Sequence, residues 1–158
     1  MSSRVSGSIP SNPTPQLQVV LDYLTAVCEG DFSKMTTFLT DDFMHHVHPR
    51  SLGIPSSDKA AWTQFNVNIY PFFEGFKLQI YEIVEGGNTV SLHASSSSTT
   101  TSGAHYNNEY ALFFELVAAA EGSLQIRRQK EFVNSKYASE FFLAEKARQE
   151  AAGHKFPM

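Results

Sequence analysis

The sequence predicts one α+β domain in which helices come first and an antiparallel sheet follows. The chain has 158 residues, which is enough for a single domain with a substantial core. Up to Pro71 most apolar residues recur at helical spacing, and after Pro71 they alternate with the period of two that strands show. Helices segregated along the chain from an antiparallel sheet are typical of the α+β class.

The first two helices have clear start and stop residues. Residues 1–13 are rich in Ser, Gly, Pro and Asn, so we expect a flexible leader. Thr14-Pro15 is an N-cap followed by proline at the first helical position, and Gly30 ends that helix. Asp31 can cap a second, short helix. Its apolar positions and those of the first helix follow helical spacing: Leu17, Val20, Leu21, Leu24, Val27, Cys28, Phe32, Met35, Phe38 and Leu39.

The third helix and the strands follow from the change of period. Ser56 or Ser57 is expected to cap a helix that carries Trp62, and Pro71 stops it. A histidine-rich strand precedes this helix. Four meander strands are predicted after it, joined by turns at Gly86-Gly87-Asn88, Ser102-Gly103 and Glu121-Gly122-Ser123, with approximate ranges 76–84, 90–101, 106–116 and 124–133. A helix over about 137–151 is expected to begin with two phenylalanines and to become solvated.

Composition excludes several functional classes. The net charge is −4 with no basic stripe, so a nucleic-acid partner is not expected. The single cysteine, Cys28, rules out an internal disulfide and falls on an apolar helix face, where we expect a small core residue. No apolar run approaches the ~20 residues of a membrane span, and the first residues lack the apolar stretch of a secretory signal. We therefore expect a cytoplasmic protein.

Three of the six histidines lie within four positions of the run 41–49. Histidine suits proton transfer and metal binding because its ordinary pKa lies near neutrality. In a strand, His46 and His48 would share one face, whereas His45 and Val47 would share the other. A chance cluster of exposed histidines is the alternative. A serine-rich strand, Ser95–Thr101, further suggests space beside the sheet, because small side chains leave room for water or a ligand.

Three segments resemble the SnoaL-like polyketide cyclases, which belong to the ketosteroid-isomerase and nuclear-transport-factor-2-like superfamily. The segments are Tyr23–Asp31, Phe38–Phe43 and Lys130–Ser135, and the resemblance covers about residues 14–142. It implies a cone-shaped domain over that range, in which a curved sheet wraps three helices around an apolar pocket. Residues 143–158 would then form a helical tail.

The resemblance also implies positions for catalytic groups. Tyr23, eight residues before Asp31, occupies the place of the isomerase's oxyanion tyrosine. His48, directly before a proline, stands at the place of the general base, and one inserted residue leaves His46 as a rival. Leu112 takes the place of the second oxyanion donor, so the steroid isomerase reaction itself is not implied.

Strand alternation in the same register assigns the remaining pocket face. The assigned residues are His93, Ser95, Ser97 and Thr99, then Tyr106, Asn108, Tyr110 and Leu112, then Gln129, Glu131 and Val133. A bulge would exchange these residues for the opposite set, which contains Asn107, Glu109, Ala111, Arg128, Lys130 and Asn134. Trp62 of the third helix is also expected to contact substrate. His45 and His105 are expected to face solvent or a loop.

These residues predict acid–base chemistry without a cofactor. The expected catalytic groups are His48, His46, Glu131, His93, Tyr110 and Tyr23: a base removes a proton α to a carbonyl or activates water, and tyrosine hydroxyls stabilise the oxyanion. The resemblance implies isomerisation, cyclisation, dehydration or ring hydrolysis of a small apolar polyketide or terpenoid intermediate of secondary metabolism.

Two other functional classes stay open, and one assembly is expected. A ligand-binding or dimerisation module of the same fold would have a pocket filled by phenylalanines. A metal enzyme would use His46 and His48 with His93 or Glu131 as third ligand. A homodimer is expected to form through the outer sheet face, where alternation places Phe113 and Ala111.

Overall fold

The computed structural model describes residues 4–158 and has four helices and seven strands in that range. The helices are α1 (Pro15–Glu29), α2 (Phe32–Thr37), α3 (Lys59–Ile69) and α4 (Ser135–Ala151). The strands are β1 (Val5–Gly7), β2 (Leu39–His48), β3 (Ser57–Asp58), β4 (Phe73–Gly86), β5 (Thr89–Thr100), β6 (His105–Ala118) and β7 (Leu124–Val133).

All seven strands form one curved sheet with the order β1-β4-β5-β6-β7-β2-β3. The meander β4 to β7 is antiparallel, as predicted, whereas β2 pairs with β7 and β1 with β4 in parallel, so the sheet is mixed. Register shifts within the β4–β5, β6–β7 and β2–β7 pairs mark bulges, which bend strands and increase their twist. The predicted α+β class is confirmed.

The helix caps explain where α1 to α3 begin. The backbone N–H of Leu17 donates to Thr14 Oγ1 at 3.1 Å, as the N-cap prediction requires. Gly30 ends α1 in the left-handed conformation with φ of 74°, which glycine adopts at low cost. The cap of α3 is Asp58, whose carboxylate accepts from Ala61 N at 2.8 Å. The prediction of Ser56 or Ser57 for that cap is therefore wrong.

The leader prediction needs a correction. Residues 1–3 lie outside the described residues, but Val5–Gly7 forms β1, with Val5 opposite Leu78 of β4. The Val5 side chain is 2% exposed and belongs to the core. One buried apolar side chain and backbone hydrogen bonds to β4 dock this segment, and composition alone shows neither.

The core lies between α1, α2 and the face of the sheet that these helices cover, which we call the inner face. Its largest fully buried aromatic side chains are Tyr23, Phe43 and Phe114. Cys28 is buried, as predicted, and burial raises the pKa of its thiol to about 12. The thiol therefore stays protonated and behaves as a small apolar group.

The helix α4 is not the solvated tail that the sequence predicts. Phe141, Glu145 and Gln149 are buried on it. The Glu145 carboxylate accepts hydrogen bonds from Ser102 Oγ at 2.8 Å, from Gln149 Nε2 at 2.7 Å and from Arg148 Nε at 2.8 Å. The bond from Ser102, together with the bond from Gln149 Nε2 to Thr101 Oγ1 at 2.9 Å, fastens α4 to the β5–β6 turn. No helix within residues 4–158 is long and apolar enough to cross a membrane.

Candidate active site

The strand β2 places His45, not His46 or His48, on the inner face. Phe43 and His45 are buried, and Val47 follows them on the same side. As predicted, His45 lies on one face of the strand and His46 and His48 on the other. The prediction that His46 and His48 face inward is wrong. Phe43 is the sequence signal that could have identified the face, because a core phenylalanine two residues before His45 carries that histidine inward.

His45 meets Glu131 in an aromatic environment. His45 Nε2 lies 3.3 Å from Glu131 Oε2, and the side chains are 2% and 18% exposed. The imidazole stacks on the indole of Trp62 with 3.7 Å between ring centroids and 20° between planes. Within the described residues, His45 Nε2 is a buried polar atom with no hydrogen-bond partner, since its contact with the carboxylate lacks hydrogen-bond alignment. A buried and unsatisfied imidazole nitrogen costs free energy unless a bound molecule supplies its hydrogen bond, which makes His45 a candidate functional residue.

A second group of side chains, Tyr23 and Gln129, holds the indole of Trp62 on which His45 stacks. Trp62 Nε1 donates to the Tyr23 hydroxyl at 2.9 Å, and that hydroxyl donates to Gln129 Oε1 at 2.7 Å. Burial raises the pKa of Tyr23 well above its ordinary value, against a smaller lowering by the Trp62 hydrogen bond. Tyr23 is therefore a neutral hydroxyl at physiological pH.

A chain of three hydroxyls runs along the same face, formed by Ser96, Tyr110 and Tyr106. The Tyr110 oxygen lies 2.9 Å from Ser96 Oγ and 3.0 Å from the Tyr106 oxygen, which also accepts from Asn108 Nδ2 at 3.0 Å. Burial raises the pKa of Tyr106 to about 12 and that of Tyr110 well above its ordinary value. The negative charge of Glu131 also raises the pKa of both tyrosines, so the carboxylate is close enough to interact electrostatically with these hydroxyls.

The strands β6 and β7 present inward the residues assigned to the pocket. Leu112 is buried beside its cross-strand partner Glu131, and Val133 is partly buried opposite Tyr110. Gln129 is buried and bonded to the core tyrosine of α1. These strands therefore bring together most of the predicted substrate-contacting residues.

The strand β5 has the opposite parity to the one assigned. The prediction that His93, Ser95, Ser97 and Thr99 face inward is wrong. The buried residues of β5 are those of the other parity: Val90, Leu92, Ala94, Ser96, Ser98 and Thr100. The β5–β6 pairing runs without a register shift and sets Ala94 opposite Tyr110, so the inward position of that tyrosine determines which β5 residues face the core. On the outer face, His93 Nε2 lies 2.6 Å from Glu109 Oε1.

The remaining histidines lie outside the inner face. His48 stacks on Phe132 with 4.5 Å between ring centroids, and His46 Nδ1 lies 2.7 Å from Ser56 Oγ. Partial burial is the main cause that lowers the pKa of His46, and the positive charge of Arg128 is the next. His105 is exposed, as expected. Between residues 4 and 158, no three His, Cys, Asp or Glu side chains form a group that could hold a metal.

Comparison with known proteins places this geometry among related domains. Residues 20–123 match the family described as the SnoaL-like domain. The monooxygenase nsrS of Aspergillus novofumigatus (strain IBT 16806) is 28% identical over 139 residues, which cover 84% of this chain and 89% of nsrS. The name of this relative is that of an enzyme.

Two solved structures share the fold. The BvnE pinacolase from Penicillium brevicompactum superposes with a TM-score of 0.73 at 24% identity, over 91% of this chain and 98% of its own. TerC, co-crystallised with polyporic acid, gives a TM-score of 0.65 at 14% identity, over 80% of this chain and 97% of its own. At these identities the likeness is one of fold, and TerC shows that a domain of this fold can hold a small organic molecule.

Proposed function

Because the chain belongs to the SnoaL-like domain family, we propose that it is an acid–base enzyme acting on a small, largely apolar carbonyl compound such as a polyketide or terpenoid intermediate. The observation that carries this proposal is the buried contact of His45 with Glu131. Isomerisation and cyclisation are the favoured reaction types, because both need a proton removed beside a carbonyl and returned elsewhere.

The two members of the pair have different access to a substrate. Glu131 is more exposed than His45, so its carboxylate is the group that can reach a bound molecule. It takes a proton from the carbon next to the carbonyl and leaves an enolate. Once substrate binding aligns the two groups as a hydrogen bond, His45 Nε2, 3.3 Å away, takes that proton from the carboxylate and returns it through Glu131 to another carbon. Neutral tyrosine hydroxyls on the same face stabilise the negative oxygen.

The experiment measures exchange of α-hydrogens, which requires no knowledge of the natural substrate. The bicyclic ketone 2-tetralone is incubated with the protein in D2O, and the loss of its α-proton signals is followed by NMR. We expect the protein to accelerate this exchange. Glu131→Gln should reduce the acceleration by a factor on the order of 10²–10⁴. Glu109→Gln is the matched control, because Glu109 pairs with a histidine on the outer face.

The outcome separates an enzyme from a binding module. A wild-type protein that binds the ketone without accelerating exchange is a ligand-binding module of the same fold. Equal acceleration by wild type and Glu131→Gln would remove the carboxylate from the mechanism.

A second candidate reaction uses oxygen at the same site, and the resemblance to the monooxygenase nsrS favours it. An enolate formed by Glu131 reduces O2 and forms a bond to it through the α-carbon, and protonation gives an α-hydroperoxide, so the substrate itself supplies the electrons. Oxygen consumption during incubation with a ketone, measured with an electrode, distinguishes this reaction from isomerisation, which consumes none.

The outer face supports the proposal of a homodimer. Phe113 and Phe132 are 38% and 45% exposed there, with 6.1 Å between their ring centroids. Adjacent exposed aromatic side chains of this kind mark interaction surfaces, and two-fold pairing is the commonest assembly. Sedimentation at micromolar concentration should find a dimer that Phe132→Ser weakens, and a monomeric wild type would contradict the proposal.

A further inference from the structure

We propose that the Tyr110 hydroxyl, supported by Ser96 and Tyr106, is the donor that binds the carbonyl oxygen of the substrate, and that Tyr23 only positions Trp62 and Gln129. This inference deepens the proposed function and rests on it. It identifies the oxygen-binding end of the site and, through it, the orientation of the substrate.

Tyr23 has no proton left to give. A phenol has one O–H, and that of Tyr23 goes to Gln129 Oε1 at 2.7 Å. Its oxygen already accepts from Trp62 Nε1 at 2.9 Å. The side chain is fully buried, so no substrate atom reaches the hydroxyl. The contact with Trp62 instead orients the indole on which His45 stacks.

The hydroxyl chain has a proton to spare. Three hydroxyls carry three O–H protons, and the two hydrogen bonds that join them use two. Ser96 and Tyr106 are only 2% and 5% exposed, whereas Tyr110 keeps part of its surface open. When Tyr110 accepts from both neighbours, its own proton is the free one. Acceptance of two hydrogen bonds strengthens a hydroxyl as a donor, because hydrogen bonds in a chain polarise one another.

The register places this donor beside the proposed base. Leu112 lies opposite Glu131 across the β6–β7 pair, and Tyr110 is two residues further along the same face of β6. Such diagonal neighbours lie roughly 7–8 Å apart at the backbone and are within reach of long side chains. A ketone between them can hold its oxygen on Tyr110 and turn its α-carbon toward Glu131. Leu92, Ala94 and Leu112 are buried on the same face and make the surroundings of these two groups apolar.

The structure supplies a matched control for this test on the other side of the same strand. Ser96 contacts the inward Tyr110, and its neighbour Ser95 contacts the outward Tyr81, with Ser95 Oγ 2.7 Å from the Tyr81 hydroxyl. The same two substitutions can therefore be made on each face. The inner variants are Tyr110→Phe and Ser96→Ala, and the outer variants are Tyr81→Phe and Ser95→Ala.

The experiment measures binding of 2-tetralone and the infrared stretching frequency of its carbonyl group, with the hydrocarbon tetralin as an isosteric probe lacking the oxygen. We expect a lowered carbonyl frequency in the wild-type complex. Tyr110→Phe should abolish that shift and bind the ketone about tenfold more weakly, with tetralin affinity unchanged. Ser96→Ala should reduce the shift, which keeps the test open if Tyr110→Phe fails to fold.

Several results would overturn the inference. These are a ketone that does not bind, a carbonyl frequency equal to that in water, an equal loss in the inner and outer variants, or a shift abolished by Tyr23→Phe but kept in Tyr110→Phe. The readout needs no turnover. A lowered frequency that persists in Glu131→Gln therefore supports the donor even if the exchange experiment fails, and the two proposals can fail separately.

Discussion

The two faces of the sheet carry the same pair of residue types in opposite environments. The inner pair, His45 and Glu131, has a contact of 3.3 Å between side chains that are 2% and 18% exposed. The outer pair, His93 and Glu109, has a contact of 2.6 Å between side chains that are 45% and 63% exposed. The outer contact is the shorter one, yet water screens it, and exposed ion pairs contribute little.

The difference teaches that distance alone does not identify a site. A buried imidazole next to a carboxylate has few ways to satisfy its nitrogen, so it depends on that carboxylate or on a bound molecule for a hydrogen bond. The outer pair is hydrated by bulk water and needs no other partner. The same substitution made on the inner and on the outer face should therefore have very different effects on activity or stability.

The largest expected difference is between the two histidines. His45→Gln should lower the rate of α-hydrogen exchange by a factor on the order of 10²–10⁴, because the proton can no longer be relayed from Glu131. His93→Gln should leave the rate near that of wild type. NMR exchange rates check both, with circular dichroism to confirm the fold. Comparable losses in the two variants would show that the inner pair has no special role.

A second contrast concerns two adjacent phenylalanines of β6. Phe114 is 0% exposed and contacts the Tyr23 ring edge-on, whereas Phe113 lies on the outer face. Phe114→Ala should reduce the free energy of unfolding by about 3–5 kcal/mol, since a large cavity remains in the core. Phe113→Ala should cost about 1 kcal/mol or less in the monomer. Urea titration measures both, and similar costs would mean that the outer face is covered.

The smallest effect is expected at Glu145 on α4. Burial acts to raise the pKa of this carboxyl, but hydrogen bonds from Gln149, Ser102 and Arg148 outweigh burial and lower it. A carboxyl with a lowered pKa in the folded state stabilises that state above the pKa of the unfolded chain. This stability is lost as the pH falls through the folded pKa.

The test compares the pH dependence of stability between variants. The free energy of unfolding of the wild type should fall between about pH 5 and pH 3, and Glu145→Gln should fall less steeply over the same window. Glu150→Gln, on the exposed side of the same helix, serves as the control. A wild-type curve parallel to that of Glu145→Gln would show that the buried carboxyl does not contribute.

The sequence predicted the elements better than the faces they present. Local signals identified β7 with the observed ends, Leu124–Val133, and the caps Thr14 and Asp31. These features depend on neighbouring residues, so the local sequence contains them. The three-residue β1 was missed because its stability comes from pairing with β4, more than 70 residues away in the chain, as in the contact of Ser6 with Gln79.

The sequence predicted the inward-facing residues correctly on β6 and β7 and reversed them on β2 and β5. A period of two separates the faces of a strand but does not say which one is inside. On β2 the choice depended on Phe43, and on β5 it depended on the unbroken register that sets Ala94 opposite Tyr110. One wrong choice moves every side chain of a strand, which is why His45 was missed although its neighbours were named.

The parallel pairing of β2 with β7 also has a consequence for the order of assembly during synthesis. His45 on β2 lies opposite Gln129 on β7, and Tyr23 bonds to the same glutamine across 106 residues of chain. Long-range contacts of this kind close large loops and slow folding. On the ribosome, α1 to α3 emerge with half of the site and must wait for the final strand. The proposed site is therefore complete only when β7 has been made, and until then the apolar surface of the nascent chain stays uncovered.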